Sequence, residues 1–344
     1  MRQDDGLAFL LKYENVAWYQ DGAVSILDRR VYPAKTQYVK CQDYLAVADA
    51  IRDMVTQSGG PWMAAAWGMV SAARGVRDRP AAEAKDGLRK AACALSHARP
   101  TTSAGMAAHV NRVLAAAECA VDQGVDVERA TYDFAFAQIE ERYRMSHRAA
   151  AFCVSMFPDD STVLTQCFAE TVIGFMILAA REAGKRMALI CPETRPYLQG
   201  ARLTASVAYD MGVPTTVITD NMPAYALSRG QVDAFISGAD VVTLDGFVVN
   251  KVGTLQIALA AHFFKVPYYV FGRPSSANPS ISAVQIEERD PEETVHFMGI
   301  RTATQGVRGF YPAFDITPPE LVSAVITSQG VFSPYDLRAH FGST

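Results

Sequence analysis

Ser161-Thr-Val-Leu-Thr-Gln-Cys167 and Val232-Asp-Ala-Phe-Ile-Ser-Gly-Ala-Asp240 decide the fold. Each is a short apolar or β-branched run that reads as a buried strand. The first ends in a thiol and the second in a carboxylate. Around them strands and helices alternate. Strand 161–166 precedes helix 168–183, strand 187–191 helix 198–211, and strand 214–218 helix 222–229. Strand 233–237, helix 251–264 and strand 267–271 continue the series. This alternation predicts a parallel sheet covered by helices on both faces. Ligands of open α/β sheets bind outside the carboxyl ends of the strands, so Cys167 and Asp240 are placed to face one cavity. The tail 280–344 is less regular, with one expected helix, 318–328, entered through Thr317-Pro318-Pro319.

Upstream the pattern differs. Val16-Ala-Trp-Tyr, Ala23-Val-Ser-Ile-Leu and Gln37-Tyr-Val, separated by Asp21-Gly22 and Pro33, predict a small antiparallel sheet. Ala-, Leu- and Met-rich segments then predict helices over 42–57, 62–75, 80–97, 103–123 and 127–151. The expected fold class is α/β: a Rossmann-like parallel-sheet C-terminal domain over 156–344, and a smaller, mainly helical N-terminal domain over 1–155 that begins with the antiparallel sheet.

The 344 residues are 50% hydrophobic and carry a formal charge of -4. That balance offers no electrostatic case for nucleic acid or an anionic membrane. No apolar run reaches the ~18 residues of a membrane span, and the N-terminus lacks a signal-peptide pattern. The six cysteines show no C-x-x-C spacing, which argues against zinc and thioredoxin-like chemistry and fits a reducing, cytoplasmic setting.

Cys167 lies between a strand and a helix, where a helix N-terminus would lower its pKa; the bland alternative is a packed apolar cysteine. Cys191 also ends a strand and competes with it. Cys41, Cys93, Cys119 and Cys153 read as packing. Asp240 is either a turn aspartate or an acid whose pKa a dry pocket would raise. Asn250-Lys251-Val-Gly253-Thr254 opens a helix whose free N–H groups suit phosphate. Arg202, after Gln199-Gly-Ala, is an anion ligand or a surface charge. Arg99 is a capping arginine or a reach into the site. The six histidines show no ligand spacing, no dinucleotide fingerprint follows a strand, and Glu287-Glu-Arg-Asp290 reads as a solvated loop.

Taken together, several motifs run in a recognisable order: Leu164-Thr-Gln-Cys167, Glu193-Thr-Arg-Pro with Gln199-Gly-Ala-Arg202, Thr219-Asp-Asn-Met222, Gly238-Ala-Asp240 and Asn250-Lys-Val-Gly-Thr254. Ile286-Glu-Glu-Arg289 and Pro312-Ala-Phe-Asp-Ile-Thr317 complete the series, with Ala98-Arg-Pro-Thr101 and Ala64-Ala-Ala-Trp-Gly68 upstream. The chain resembles the methylthioribose-1-phosphate isomerases. Their superfamily includes ribose-1,5-bisphosphate isomerases and regulatory subunits of the initiation-factor-2 exchange factor.

The resemblance implies a metal- and cofactor-free, usually dimeric enzyme of methionine salvage that turns an aldose 1-phosphate into a ketose 1-phosphate. By motif it implies Cys167 and Asp240 as the catalytic pair, Gln199, Asn250 and Lys251 as sugar and phosphate contacts, and Arg99 as a phosphate ligand. It leaves open an isomerase of another modified pentose phosphate, or a ligand-sensing homologue without turnover.

Two departures bear on the substrate. The family's Arg-Gly-Ala-Pro phosphate loop is replaced by Thr56-Gln-Ser-Gly-Gly-Pro-Trp62, where Gly59 and Gly60 are left to offer backbone N–H groups. The Gly/Ala-rich segment that follows the family cysteine is missing. Cys167-Phe-Ala-Glu170 runs straight on, so Trp62 and Glu170 are expected to shape the pocket.

Overall fold

The computed structural model describes residues 2–99 and 103–341, with the backbone alone at 103 and 104. It divides into two units, Met1–Arg144 and Met145–Thr344.

In the first unit, a one-turn helix α1 (Tyr13–Val16) leads into β1 (Ala17–Gln20), β2 (Ala23–Leu27) and β3 (Tyr38–Cys41), an antiparallel sheet. Asp21 and Gly22 join β1 to β2 with φ of 52° and 82°. Positive φ at both positions is the primed turn whose twist matches the flanking strands. Helices α2 (Tyr44–Arg52), α3 (Gly60–Val76), α4 (Ala81–Ser96) and α5 (Ser103–Gln123) follow, and α6 (Val127–Ser155) begins in this unit and ends in the second. Asp43 caps α2 by accepting the Ala46 N–H at 2.8 Å. α3 is buried along nearly its whole length, and its Trp67 donates Nε1–H to the Ala17 carbonyl at 2.9 Å.

The second unit contains β4 (Asp160–Gln166), α7 (Thr171–Glu182), β5 (Arg186–Pro192), α8 (Ala205–Asp210), β6 (Thr215–Ile218), α9 (Pro223–Ser228) and β7 (Ala234–Gly238). Next come β8 (Val241–Val242), β9 (Val248–Lys251), α10 (Thr254–Phe263), β10 (Tyr268–Phe271), α11 (Glu292–Val295), β11 (His296–Phe297) and β12 (Ile300–Arg301). β13 (Phe314–Thr317), β14 (Ala324–Thr327) and β15 (Gly330–Phe332) complete it. The main sheet has the order β15-β14-β10-β7-β4-β5-β6. Every neighbouring pair is parallel except the hairpin of β14 with β15.

From β4 the chain moves to one side through β5 and β6; from β7 it moves to the other through β10 and β14. The order therefore reverses between β4 and β7, which is the topological switch point of a doubly wound sheet. Leu164, Phe235, Val270 and Val325, one from each of β4, β7, β10 and β14, share a single apolar cluster that holds these strands together. The α/β class with a helical N-terminal part is as expected.

Two segments differ from the expectation. No helix spans 318–328: a single 3-10 turn (Pro319–Leu321) leads into strand β14, whose four residues are all buried. Val325, Ile326 and Thr327 are β-branched and pack well in a pleated interior; the prolines before them start a turn. Val248–Lys251 is a strand, part of a small sheet in the order β13-β9-β8. The Asp245-Gly246 turn folds β9 back on β8, with Val241 opposite Val249.

Candidate functional site

Cys167 is the first residue beyond β4, and Asp240 lies two beyond β7. These strands are neighbours, with Gln166 opposite Ser237, and strand spacing is about 4.8 Å. Cys167 takes φ 59°, as do nearby Glu170 (47°), Thr194 (64°) and Leu198 (57°) in sign. Left-handed backbone at a non-glycine residue costs about 1–3 kcal/mol, so four such residues at adjoining strand ends need bracing.

Hydrogen bonds supply it. The Cys167 N–H donates to Thr194 Oγ1 at 3.2 Å, and the Thr204 hydroxyl donates to the Cys167 carbonyl. The N–H groups of Thr194 and Arg195 both donate to the Asp220 carboxylate at 2.7 Å. Gln166 Nε2 donates to the Val252 carbonyl at 3.1 Å. The loops after β4, β5, β6 and β9 are thus tied in series along the carboxyl edge. Close approach needs glycine twice. A Cβ on Gly200, which opens a π-helical turn (Gly200–Thr204), would stand 1.7 Å from the Pro192 carbonyl oxygen; one on Gly253, at φ 103°, would meet Gln166 Nε2 at 2.8 Å.

The Cys167 side chain is partly buried. Burial pushes its thiol up to about 11, against the opposing pull of the Lys251 charge, a backbone hydrogen bond at Phe168 and the Arg289 charge; the Asp240 carboxylate pushes it further up. The thiol therefore senses Asp240, Lys251 and Arg289 together. The pKa-lowering helix N-terminus expected after Cys167 does not prevail, because α7 starts only at Thr171 and burial outweighs it. Asp240 is exposed, not held in a dry pocket, and its N–H donates to the Val249 carbonyl at 2.9 Å.

Lys251 is buried, with Nζ 5.0 Å from the Phe314 ring centre and 5.7 Å from that of Tyr311. Asn250, also buried, donates Nδ2–H to Thr254 Oγ1 at 3.0 Å. Gln199 is buried, and its Oε1 has no hydrogen-bond partner. The N-terminus of α10 is not open to phosphate as expected. Asp315 accepts from the N–H groups of Gly253 at 2.7 Å and Leu255 at 3.1 Å, so the protein's own carboxylate occupies that positive end. Burial raises the Asp315 carboxyl to about 6, against these two hydrogen bonds and the Lys251 charge. Arg202 donates to the Tyr197 carbonyl at 3.0 Å and so braces the loop.

Arg99, Gly59 and Gly60 belong to the first unit. Arg99 is half-buried after α4; Pro100 and Thr101 of its motif lie outside the described residues. Gly59 stands at the start of α3. The Gly60 N–H donates to the Gln57 carbonyl at 3.1 Å, closing a turn, so it is not the open donor expected. The same Gln57 carbonyl accepts from buried Arg29 at 2.6 Å. Trp62 stacks on His109, ring centres 3.7 Å apart.

Cys191 is fully buried where Cys167 is only partly so, and this, not its thiol pKa, which is raised to about 11 like that of Cys167, makes it a poor competitor. Cys93 and Cys119 are exposed, not packed, because they fall on the outer faces of α4 and α5. Sequence reasoning missed two functional candidates. Arg289, assigned to a solvated loop, has a side chain only 7% exposed; its neighbours Glu287, Glu288 and Asp290 masked it. Asp315 carried no signal beyond its place in a motif.

The Initiation factor 2 subunit family matches residues 57–334. A methylthioribose-1-phosphate isomerase from Chloroflexus aurantiacus is 39% identical over 337 residues, covering 94% of this chain and 96% of the relative. The crystal structure of 5-methylthioribose 1-phosphate isomerase from Pyrococcus horikoshii OT3 has a TM-score of 0.81 at 28% identity, over 96% of this chain and 97% of that one. The delta subunit of translation initiation factor eIF-2B from A. fulgidus has a TM-score of 0.79 at 31% identity, over 93% and 96%. The chain therefore belongs to the Initiation factor 2 subunit family, in the branch that holds the methylthioribose-1-phosphate isomerases.

Proposed function

We propose that the protein is an aldose–ketose isomerase that converts 5-methylthioribose 1-phosphate, or a pentose 1-phosphate with another C5 substituent, to the ribulose 1-phosphate. One observation carries this reading. Cys167 and Asp240 follow neighbouring parallel strands at the switch point, and the thiol senses the carboxylate together with Lys251 and Arg289. The names of relatives matched over nearly the whole chain support it. The replaced loop at 56–62 motivates the second choice of C5 substituent.

A sugar 1-phosphate has no free hydroxyl at C1, so its ring does not open unaided. Asp240 protonates the ring oxygen as the general acid. The bond from C1 to the ring oxygen breaks, hydrogen moves from C2 to C1, and Asp240 takes the O2 proton as the C2 carbonyl forms. Burial pushes the Cys167 thiol up to about 11, so it is a thiol at neutral pH. A hydride shift from C2 to C1 beside a neutral thiol needs no thiolate base, and this favours it over proton transfer through Cys167.

Gln199, Asn250 and Lys251 hold the sugar and its phosphate. Arg99 is assigned to phosphate by the resemblance alone, and Gly59 by the backbone N–H it offers in the loop that departs from the family. The enzyme works as a cytoplasmic homodimer in methionine salvage.

Turnover of a panel of pentose 1-phosphates by wild type, Cys167→Ser and Asp240→Asn tests the reading. Asp240→Asn is expected to lower kcat by at least ~10², the scale of a lost acid–base group, and Cys167→Ser, which changes the wall beside the migrating hydride, by a smaller but measurable factor; wild-type rates in both variants overturn the assignment. Substrate deuterated at C2 retains its label in the product if hydride moves, and loses it to solvent if a proton does.

A further inference from the structure

Arg289 has more hydrogen-bonding capacity than its surroundings use. Its side chain is only 7% exposed, and Nε donates to Glu287 Oε1 at 2.7 Å. Nη1 and Nη2 are both buried and have no hydrogen-bond partner. The guanidinium lies between two rings, 5.7 Å from the centre of Tyr197 and 5.8 Å from that of Phe314. Lys251 Nζ approaches the same Phe314 ring, at 5.0 Å. The Tyr311 hydroxyl, on the ring 5.7 Å from Lys251 Nζ, is buried beside the Arg289 guanidinium but forms no well-aligned hydrogen bond with it, and Gln199 Oε1 is buried without a partner.

Buried polar groups are almost always hydrogen-bonded. A guanidinium is permanently charged, and its fork of parallel N–H groups matches two oxygens of a phosphate or carboxylate. Here Glu287 holds the Nε edge of the fork, and the centres of two aromatic rings lie 5.7 and 5.8 Å from it. Two cations beside one ring suit a doubly charged anion.

We propose that Arg289 is a substrate-binding residue, whose two Nη groups, with Lys251 and the Tyr311 hydroxyl, form the seat of the sugar's phosphate. The proposal rests on the isomerase reading for the identity of the ligand. It does not need the loop arginine that residues 56–62 lack.

The test uses the whole protein and inorganic phosphate as the probe. Arg289→Lys keeps the charge beside Glu287 and removes the fork; Tyr311→Phe removes one hydroxyl and no charge. Calorimetric phosphate affinity is expected to fall about tenfold or more in Arg289→Lys, the size of a lost charge-assisted hydrogen bond, and less in Tyr311→Phe. KM for the sugar phosphate rises in parallel, with kcat within about threefold of wild type. Unchanged phosphate affinity in a folded Arg289→Lys protein overturns the proposal. A fall in kcat alone also overturns it, because it places the guanidinium at the reacting carbons. The binding arm needs no turnover. If phosphate affinity falls but no sugar phosphate is isomerised, the isomerase reading is what fails.

Discussion

Asp315 shows how one residue sets the site's pH behaviour. Its carboxylate holds two N–H groups at the start of α10, and burial nonetheless raises its carboxyl to about 6. The folded chain therefore binds this proton more tightly than the unfolded one, where an aspartate titrates near 4. The resulting stability is complete below about pH 4 and is lost as pH rises through 6. Asp315→Asn keeps an acceptor for the two N–H groups and removes the titration. Urea unfolding is expected to shift in the variant's favour, relative to wild type, by up to about 2–3 kcal/mol between pH 4 and 7. A constant difference across that range would show that Asp315 does not titrate as described. Cys167 behaves in the same manner: its place after β4 was legible from the sequence, while its protonation state depended on burial.

At the scale of elements, α3 and α5 carry a second titrating group. His109 on α5 is 2% exposed beneath Trp62 of α3, and burial, with the Arg112 and Arg142 charges, pushes its imidazole down to about 2. A depressed histidine contributes stability above its unfolded pKa near 6.5, and that contribution is lost as pH falls. His109→Phe keeps a ring against Trp62 and cannot ionise. Between pH 7 and 5, wild type is expected to lose roughly 2 kcal/mol more than the variant by denaturant titration. Parallel losses would mean that His109 is not buried neutral. The histidine was set aside at the sequence level because its spacing suggested no ligand. What matters is the packing over it, and spacing does not report that. β14 makes the same point: two prolines suggested a helix start, and burial of a β-branched run produced a strand.

At the scale of the whole molecule, edge strand β6 and helices α8, α9 and α10 carry exposed apolar side chains. Tyr209 is 79% exposed, Tyr225 69% and Phe263 75%, with Val217, Met222 and Leu259 also exposed. Exposed apolar groups of this kind suit association, and we propose that a homodimer forms through them. Light scattering is expected to give twice the 37.4 kDa of one chain, and Tyr225→Glu with Phe263→Glu to give monomers; a monomeric wild type would remove the dimer from the account.

The sequence by itself determined the alternation of strands and helices, the turn at Asp21-Gly22, and the positions of Cys167 and Asp240 beyond their strands. These are local properties of side-chain periodicity and turn chemistry, which act over a few residues. Only the tertiary structure decided that β4 and β7 are neighbours at the switch point, that Asp315 occupies the start of α10, and that Arg289 is buried beside Lys251. Strand order, burial and the field at a buried charge arise from segments far apart in the chain, so no window of sequence contains them.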